Sequence, residues 1–156
     1  MRFWLLKTEP DEFSIDDLAA AGAVGVPWDG IRNYQARNYL RDQVSAGDRA
    51  LIYHSSCAKA GVAGVGRVVC DGYPDPAQLN PDSRYYDPKA TQTAPRWYQI
   101  DLMFERRFDD VIPLARLKQT PALASMVLIR HGRLSVQPVT LAEWNIVLAL
   151  GSNPVD

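Results

Sequence analysis

The chain has 156 residues, of which 47% are hydrophobic and 22% are charged; this composition excludes a disordered chain and is typical of one domain with a substantial buried core. The net charge of −1 excludes a protein that coats nucleic acid through a broad basic surface. The charge is unevenly distributed, however, since residues 9–17 are acidic and residues 28–41 hold three arginines against one aspartate. The second segment predicts a local basic site.

Cysteine content and the N-terminal sequence point to one cellular compartment. Cys57 and Cys70 are too few for a disulfide framework in a chain of this length, so a reducing environment is expected. The first residues, MRFWLLKTEPDEF, become acidic too soon for a secretory signal, and no apolar stretch approaches the roughly 20 residues of a membrane-spanning helix. We therefore expect a single cytoplasmic domain over residues 1–156, with no membrane contact.

Capping signals predict three or four helices. In a capping box, a Ser or Thr and an acidic side chain three residues later each bond to the other residue's backbone N–H group. The second helix is expected over residues 34–44, and the last helix is expected to end at Gly151. The starting signals, in chain order, are Ser14 with Asp17, Asn33, Thr120 with Pro121, and Thr140 with Glu143.

Apolar runs and alternating patterns predict six strands. A loop is expected through Pro27, and a long irregular excursion is expected over residues 71–95, which are rich in Pro, Asp, Asn and Tyr. Because strands and helices do not alternate regularly, we expect an α+β fold in which helices flank a mixed, curled sheet. The predicted strands cover residues 2–7, 49–54, 62–70, 97–104, 108–112 and 133–137.

The usual catalytic and metal-binding patterns are incomplete. His54 and Cys57 form one loose pair, whereas structural zinc requires four closely spaced ligands. Ser56 and Lys59 match an S-x-x-K pattern, but they lie in a loop without the helix that this chemistry needs. The glycines of residues 61–66 do not lead into a helix, as a phosphate-binding loop would. We therefore expect no metal, no cofactor and no catalytic residue.

Side chains that are typical of a base-binding pocket remain. Aromatic rings stack on bases, amides and hydroxyls match base edges, and arginines bind phosphate, although each aromatic taken singly is more typical of a core. In residues 133–137, Leu134 and Val136 are expected to face inward, so Arg133, Ser135 and Gln137 would share the opposite face. The other candidates are Trp28, Tyr34 and Tyr53, the amides of Asn33 and Gln35, the arginines Arg32 and Arg37, and Ser55.

Several segments together resemble the EVE-domain family, of the thymocyte nuclear protein type. The similarity runs in order over nearly the whole chain, and its longest segment is WDGIRNYQARNYL at residues 28–40. The other segments are FWLLKTEP at 3–10, YHSS at 53–56, GVAGVGRV at 61–68, YYDP at 85–88, PRW at 95–97 and RLSVQPVT at 133–140.

The resemblance implies a PUA-like fold, which is a pseudo-barrel of mixed strands flanked by helices, and a pocket for a modified nucleobase. It implies Trp28 as the stacking side chain of that pocket. Ser56 stands where the family often has Asn, and this difference changes one hydrogen-bonding group. The implied pocket residues are Lys7, Thr8, Glu9, Trp28, Arg32, Asn33, Tyr34, Gln35, Arg37, Tyr53, His54, Ser55, Ser56, Arg133, Ser135 and Gln137.

Three functions remain open at this point. The leading hypothesis is a non-catalytic module that recognises a modified nucleobase in DNA or RNA. The second is an enzyme acting on a modified nucleotide, with His54 as acid–base and Glu9 nearby. The third is a small-molecule or protein-interaction module that uses the same pocket. The oligomeric state is left open by the sequence.

Overall fold

We describe residues 1–152 of the protein from a computed structural model. Within these residues, seven strands form one sheet and five α-helices and two short 3₁₀ helices surround it. The strands are β1 (Phe3–Thr8), β2 (Val26–Trp28), β3 (Arg49–His54), β4 (Gly61–Val68), β5 (Tyr73–Pro74), β6 (Tyr98–Pro113) and β7 (Val136–Val139). The α-helices are α1 (Ile15–Ala20), α2 (Tyr34–Asp42), α3 (Leu114–Lys118), α4 (Val127–Arg130) and α5 (Leu141–Ser152), and the 3₁₀ helices are Pro76–Leu79 and Pro121–Leu123.

The sheet is mixed and curled, as expected. Its strand order is β2-β6-β4-β3-β1-β7, with β5 paired to β6. Only β1 and β3 pair in parallel among the described strands. The long strand β6 contacts β2, β4 and β5 in turn, and two register shifts against β4 bend it. Such irregularities increase the local twist and allow one strand to turn a corner of the sheet.

Each face of the sheet carries its own hydrophobic core. On the first face, Trp4 and Leu6 pack with residues of α1 and α2. On the second face, Leu5 packs with residues of α3, α4 and α5, including Trp144. Consecutive residues of β1 thus enter different cores, because side chains alternate along a strand.

The predicted helix caps are present at α1, α2 and α5. The Ser14 hydroxyl accepts a hydrogen bond from the Asp17 backbone N–H at 3.1 Å, and the Asp17 carboxylate accepts one from the Ser14 N–H at 2.8 Å. The Asn33 side chain accepts from the Ala36 N–H at 3.0 Å. The corresponding box at α5 is formed by Thr140 and Glu143, with distances of 2.9 and 3.2 Å.

Other boundaries differ from the prediction. Residues 26–28 form a strand instead of a loop, and Thr120 precedes a single 3₁₀ turn instead of an α-helix. The two strands predicted over residues 97–104 and 108–112 are one strand, β6, which begins at Tyr98, because the charged residues between them remain paired with β4. The helices α3 and α4 were not predicted, and α5 extends to Ser152. Within residues 1–152, no helix combines the length and the apolar character needed to cross a membrane.

Candidate functional site

A cavity of about 670 Å³ lies where β1 and β3 end and beside Trp28 at the end of β2. It is on the first face of the sheet, since Trp28 and Ile31 belong both to the cavity lining and to the first core. Half of the predicted pocket residues line it, namely Lys7, Thr8, Glu9, Trp28, Ser55, Ser56, Arg133 and Ser135.

Backbone bonds join the chain segments that surround the cavity. The Thr8 carbonyl accepts from the Ser55 N–H at 2.9 Å, and the Thr8 hydroxyl donates to the Phe13 carbonyl at 2.7 Å. The Lys7 N–H donates to the Ser135 carbonyl at 3.0 Å, and the Lys7 ammonium donates to the Gly132 carbonyl. Burial lowers the pKa of Lys7. Polar groups of three separate segments are therefore fixed around one space.

Trp28 contributes aromatic surface and one unused donor to the cavity. Its ring meets that of Phe13 in an edge-to-face arrangement, with centroids 5.9 Å apart and planes at 86°. The residue is only 6% exposed. Trp4 and Trp97 donate their indole N–H groups to carboxylates. The indole N–H of Trp28 has no acceptor within residues 1–152, and its nitrogen is not among the fully buried polar atoms that lack a partner. A ligand could therefore accept this hydrogen bond.

Another wall of the cavity comes from the 71–95 excursion, through Arg84 and Tyr85. The Tyr85 ring lies directly over Gly30, where a Cβ atom would be 2.6 Å from it. Gly30 also has a φ of +78°, so both the backbone and the close ring require glycine. Arg84 donates to the Glu12 carboxylate at 2.9 Å. Sequence reasoning missed these residues, although YYDP and the length of the excursion were signals.

The Asp75 carboxylate anchors this excursion. It is buried and accepts hydrogen bonds from the Gly30 N–H and from the Arg32 guanidinium, each at 3.0 Å. Arg32 also donates to the Tyr85 carbonyl at 2.9 and 3.1 Å. Arg32 does not line the cavity but holds its wall in place. Partial burial, and then the nearby Asp75 charge, raise the pKa of Asp29, another lining residue that the sequence did not indicate.

Asn33, Tyr34, Gln35 and Arg37 lie at the start of α2, outside the cavity. The Asn33 side chain is used as the helix cap, and Gln35 is exposed. Tyr34 stacks on Trp97, with ring centroids 4.8 Å apart, and the Arg37 guanidinium lies 4.9 Å from the centroid of Tyr34. These side chains form a separate surface.

Tyr53, His54 and Gln137 are buried and do not line the cavity. The His54 Nε2 atom accepts a hydrogen bond from the Ile15 N–H at 3.0 Å, and burial lowers the pKa of His54. Gln137 donates to the Leu134 carbonyl at 2.7 Å. The expectation that Gln137 shares an open face with Arg133 and Ser135 is wrong, because β7 begins only at Val136 and the two other residues precede it.

Metal binding has no structural support within the described range. Among residues 1–152, no group of three or more His, Cys, Asp or Glu side chains is arranged to hold a metal ion.

The curled mixed sheet, with a cavity at its strand ends, defines a PUA-like domain. The EVE domain family matches residues 2–150, so the chain belongs to this family, which confirms the resemblance. Human thymocyte nuclear protein 1 is 40% identical over an alignment 164 residues long, gaps included, that spans 94% of this chain and 72% of that protein.

Two solved structures support the same assignment. A Pseudomonas syringae protein is 49% identical, with a TM-score of 0.90 over 96% of this chain and 99% of that one. The human THYN1 protein, solved in complex with DNA that contains 5-methylcytosine, is 38% identical, with a TM-score of 0.92 over 99% of this chain and 100% of that one.

Proposed function

We propose that this protein is a non-catalytic module that binds a modified nucleobase of DNA or RNA in the cavity. The observation that carries the proposal is a single cavity of about 670 Å³ that combines aromatic rings with hydrogen-bonding groups. Pockets of roughly 300–1,000 Å³ suit small flat ligands. The complex of the human relative with DNA that contains 5-methylcytosine supports nucleic acid as the partner.

The aromatic side chains would supply the binding energy. Phe13, Trp28 and Tyr85 all line the cavity, and stacking of a base on an aromatic ring contributes about 1–3 kcal/mol. A base paired inside a duplex cannot reach a recessed cavity, so the target base must be unpaired or flipped out of the stack.

The polar groups would read the base edge. The carboxylates of Glu9 and Asp29 can accept hydrogen bonds from an exocyclic amino group, and the Trp28 indole N–H can donate to a ring nitrogen or carbonyl oxygen. Ser55 and Ser56 provide hydroxyls that act as donor or acceptor. This combination favours a base that carries an amino group beside acceptor atoms, as cytosine and adenine do.

A binding role agrees with the position of His54, the residue considered for acid–base catalysis. Its side chain is buried, its Nε2 atom is bonded to the Ile15 N–H, and it does not reach the cavity.

The human relative is by name a nuclear protein. This favours a compartment that contains DNA over the cytoplasmic location expected from composition.

The test is an affinity panel of single-stranded oligonucleotides that are identical except for one base modification. We expect one class of modification to bind preferentially, and Trp28→Ala to weaken its binding about tenfold or more, as loss of a stacked ring would. Trp28→Phe keeps an aromatic ring of smaller area and removes the indole N–H, so a smaller loss of affinity than in Trp28→Ala would show how much a stacked ring alone contributes. Trp144→Phe, in the second core, is the matched control and should bind as the natural chain does.

Equal affinity for every modification would overturn modified-base recognition. Unchanged affinity in Trp28→Ala, with the variant folded, would remove the cavity from the proposal. Saturable binding of a free metabolite without any affinity for oligonucleotides would favour the small-molecule alternative. Turnover of a modified nucleotide that disappears in His54→Gln would favour the enzyme.

A further inference from the structure

A cluster of arginine and aromatic side chains lies outside the cavity, at the start of α2. We call it the cation–aromatic surface, and it consists of Tyr34, Arg37 and Arg96 with Trp97 beneath them. Tyr34 is 48% exposed, and its ring stacks on that of the buried Trp97, with centroids 4.8 Å apart and planes at 29°. The guanidinium groups of Arg37 and Arg96 lie 4.9 and 5.9 Å from the Tyr34 centroid. Two guanidinium groups therefore lie beside one aromatic ring.

The positive charge of this surface is only partly compensated. Arg37 donates to the Arg96 carbonyl at 2.7 Å and to the Asn38 side-chain oxygen at 2.9 Å, both neutral acceptors. Within residues 1–152 it forms no salt bridge. Arg96 contacts the Asp87 carboxylate at 3.3 Å, but that carboxylate also accepts the Trp97 indole N–H at 2.8 Å. Two guanidinium groups are thus held in place with binding capacity to spare for an anion.

Arg32 links this surface to the wall of the cavity. The Arg32 guanidinium lies between the two, 5.5 Å from the Trp97 centroid and 5.3 Å from the Tyr85 centroid. Tyr85 in turn lines the cavity. Because Arg32 is already bonded to Asp75 and to the Tyr85 carbonyl, it serves as the connection and is not itself available to a ligand.

We propose that the cation–aromatic surface binds backbone phosphates of the strand whose base enters the cavity, which rests on the function proposed above. Arg37 and Arg96 contact the phosphates directly. Tyr34 is a positioning residue, which keeps the two guanidinium groups together through cation–π contacts. The cavity then selects the base, while this surface supplies affinity that is independent of sequence and sensitive to salt.

The test compares two probes at several salt concentrations. One is a single-stranded oligonucleotide that contains 5-methylcytosine, and the other is the free nucleoside 5-methyl-2′-deoxycytidine, which has no phosphate. In Arg37→Gln/Arg96→Gln, we expect oligonucleotide affinity to fall about tenfold. The slope of log K against log salt should decrease by about 1.4, since each contact with single-stranded phosphate contributes about 0.7. Nucleoside affinity should not change.

Two further variants separate charge from folding. Arg37→Lys/Arg96→Lys keeps both charges and should retain most of the salt slope. Arg106→Gln/Lys118→Gln removes two cations from the other side of the sheet, where Arg106 packs on Phe108 of the second core and α3 carries Lys118. This control should leave both affinities unchanged.

An unchanged salt slope in the Arg37→Gln/Arg96→Gln variant would overturn the phosphate surface. If nucleoside affinity fell as much as oligonucleotide affinity, the arginines would only maintain the cavity, and the proposed phosphate surface would be overturned as well. If modified and unmodified oligonucleotides bind equally, base recognition fails, but a reduced slope in the variant would still support the phosphate surface. No oligonucleotide binding at all would overturn both.

Discussion

The two faces of the sheet are stabilised in different ways. On the second face, α5 packs apolar side chains such as Trp144 and Val147 into a core. On the first face, buried polar groups hold backbone segments that are far apart in sequence, as His54 holds Ile15 and Asp75 holds Gly30. Non-directional packing suffices for a scaffold, whereas a binding cavity needs groups fixed at defined positions. Mutations in the second core should therefore change stability alone, whereas mutations around the cavity on the first face should also change ligand affinity.

The largest expected effect is on the second face. Trp144 is buried. Its ring centroid lies 4.7 Å from that of Phe3, with the two rings tilted by 34°, and 5.0 Å from the Arg49 guanidinium. Trp144→Ala should lower the free energy of unfolding by about 3–5 kcal/mol, because it leaves a large void. Urea unfolding measures this change. In Leu141→Ala, at a 58% exposed position of the same helix, the free energy of unfolding should stay within about 0.5 kcal/mol of that of the natural chain. The ligand affinity of the folded Trp144→Ala protein should be unchanged.

Asp75→Ala should damage both stability and binding, because Asp75 joins the excursion to the cavity. Removing this buried carboxylate leaves the Arg32 guanidinium unpaired, so we expect a loss of about 3 kcal/mol in urea unfolding. The Tyr85 wall should also loosen, and affinity for the preferred oligonucleotide should fall. Asp82→Ala, at an exposed position of the same excursion, is the control. If the two variants behaved alike, the proposed anchoring role of Asp75 would be wrong.

Acidification should destabilise the first face through His54. Burial lowers the pKa of His54 below its ordinary value of 6.5, so the unfolded chain binds the proton more readily than the folded protein does. The stabilisation is complete above about pH 6.5 and decreases below it, by at most about 1.4 kcal/mol per pH unit.

The measurement for His54 is urea unfolding between about pH 7.5 and about pH 5.5. His54→Gln keeps an acceptor for the Ile15 N–H and should show a weaker decrease in stability with acidification. In His131→Gln, at an exposed position, the free energy of unfolding should decrease with acidification as it does in the natural chain. Identical pH dependence of stability in all three proteins would contradict the role assigned to His54.

The smallest expected effect is at the start of α1, directly after the lining residue Phe13. Ser14→Ala removes one half of a capping box and should cost about 1 kcal/mol in urea unfolding. Ser14→Asn retains an acceptor for the Asp17 N–H and should cost much less. An equal loss in both variants would mean that the hydroxyl itself, and not the cap, is required.

Local signals in the sequence were sufficient for three of the four predicted caps and for most strands, whereas the strand-end cavity residues Lys7, Thr8 and Glu9 followed from the family resemblance. Ser14 and Asn33 lie within three residues of their partners, so their roles are visible in the sequence. The continuity of β6 was not visible, because Glu105 interrupts the apolar alternation and is stabilised by Arg49, 56 residues away.

Long-range polar contacts explain why the pocket was predicted only in part. Arg32 and Arg37 have the same residue type in the same motif, but Arg32 is committed to Asp75 while Arg37 stays on the surface. Tyr85 reaches the cavity through the excursion, at a distance of more than 50 residues from Gly30. Pattern and spacing identify which side chains can bind a base, but only tertiary contacts decide which of them face it.

The contact between Asp75 and the Gly30–Arg32 segment also affects dynamics. This contact holds the Tyr85 wall of the cavity in place through Arg32, and local opening of a polar contact costs less than global unfolding. A ligand that touches both Trp28 and Tyr85 raises that opening free energy by RT ln(1 + [L]/Kd). Amide hydrogen exchange at Gly30 and Ala77, whose N–H groups bond to Asp75, should therefore slow down on binding, although these two amides are already bonded within the protein and need not contact the ligand.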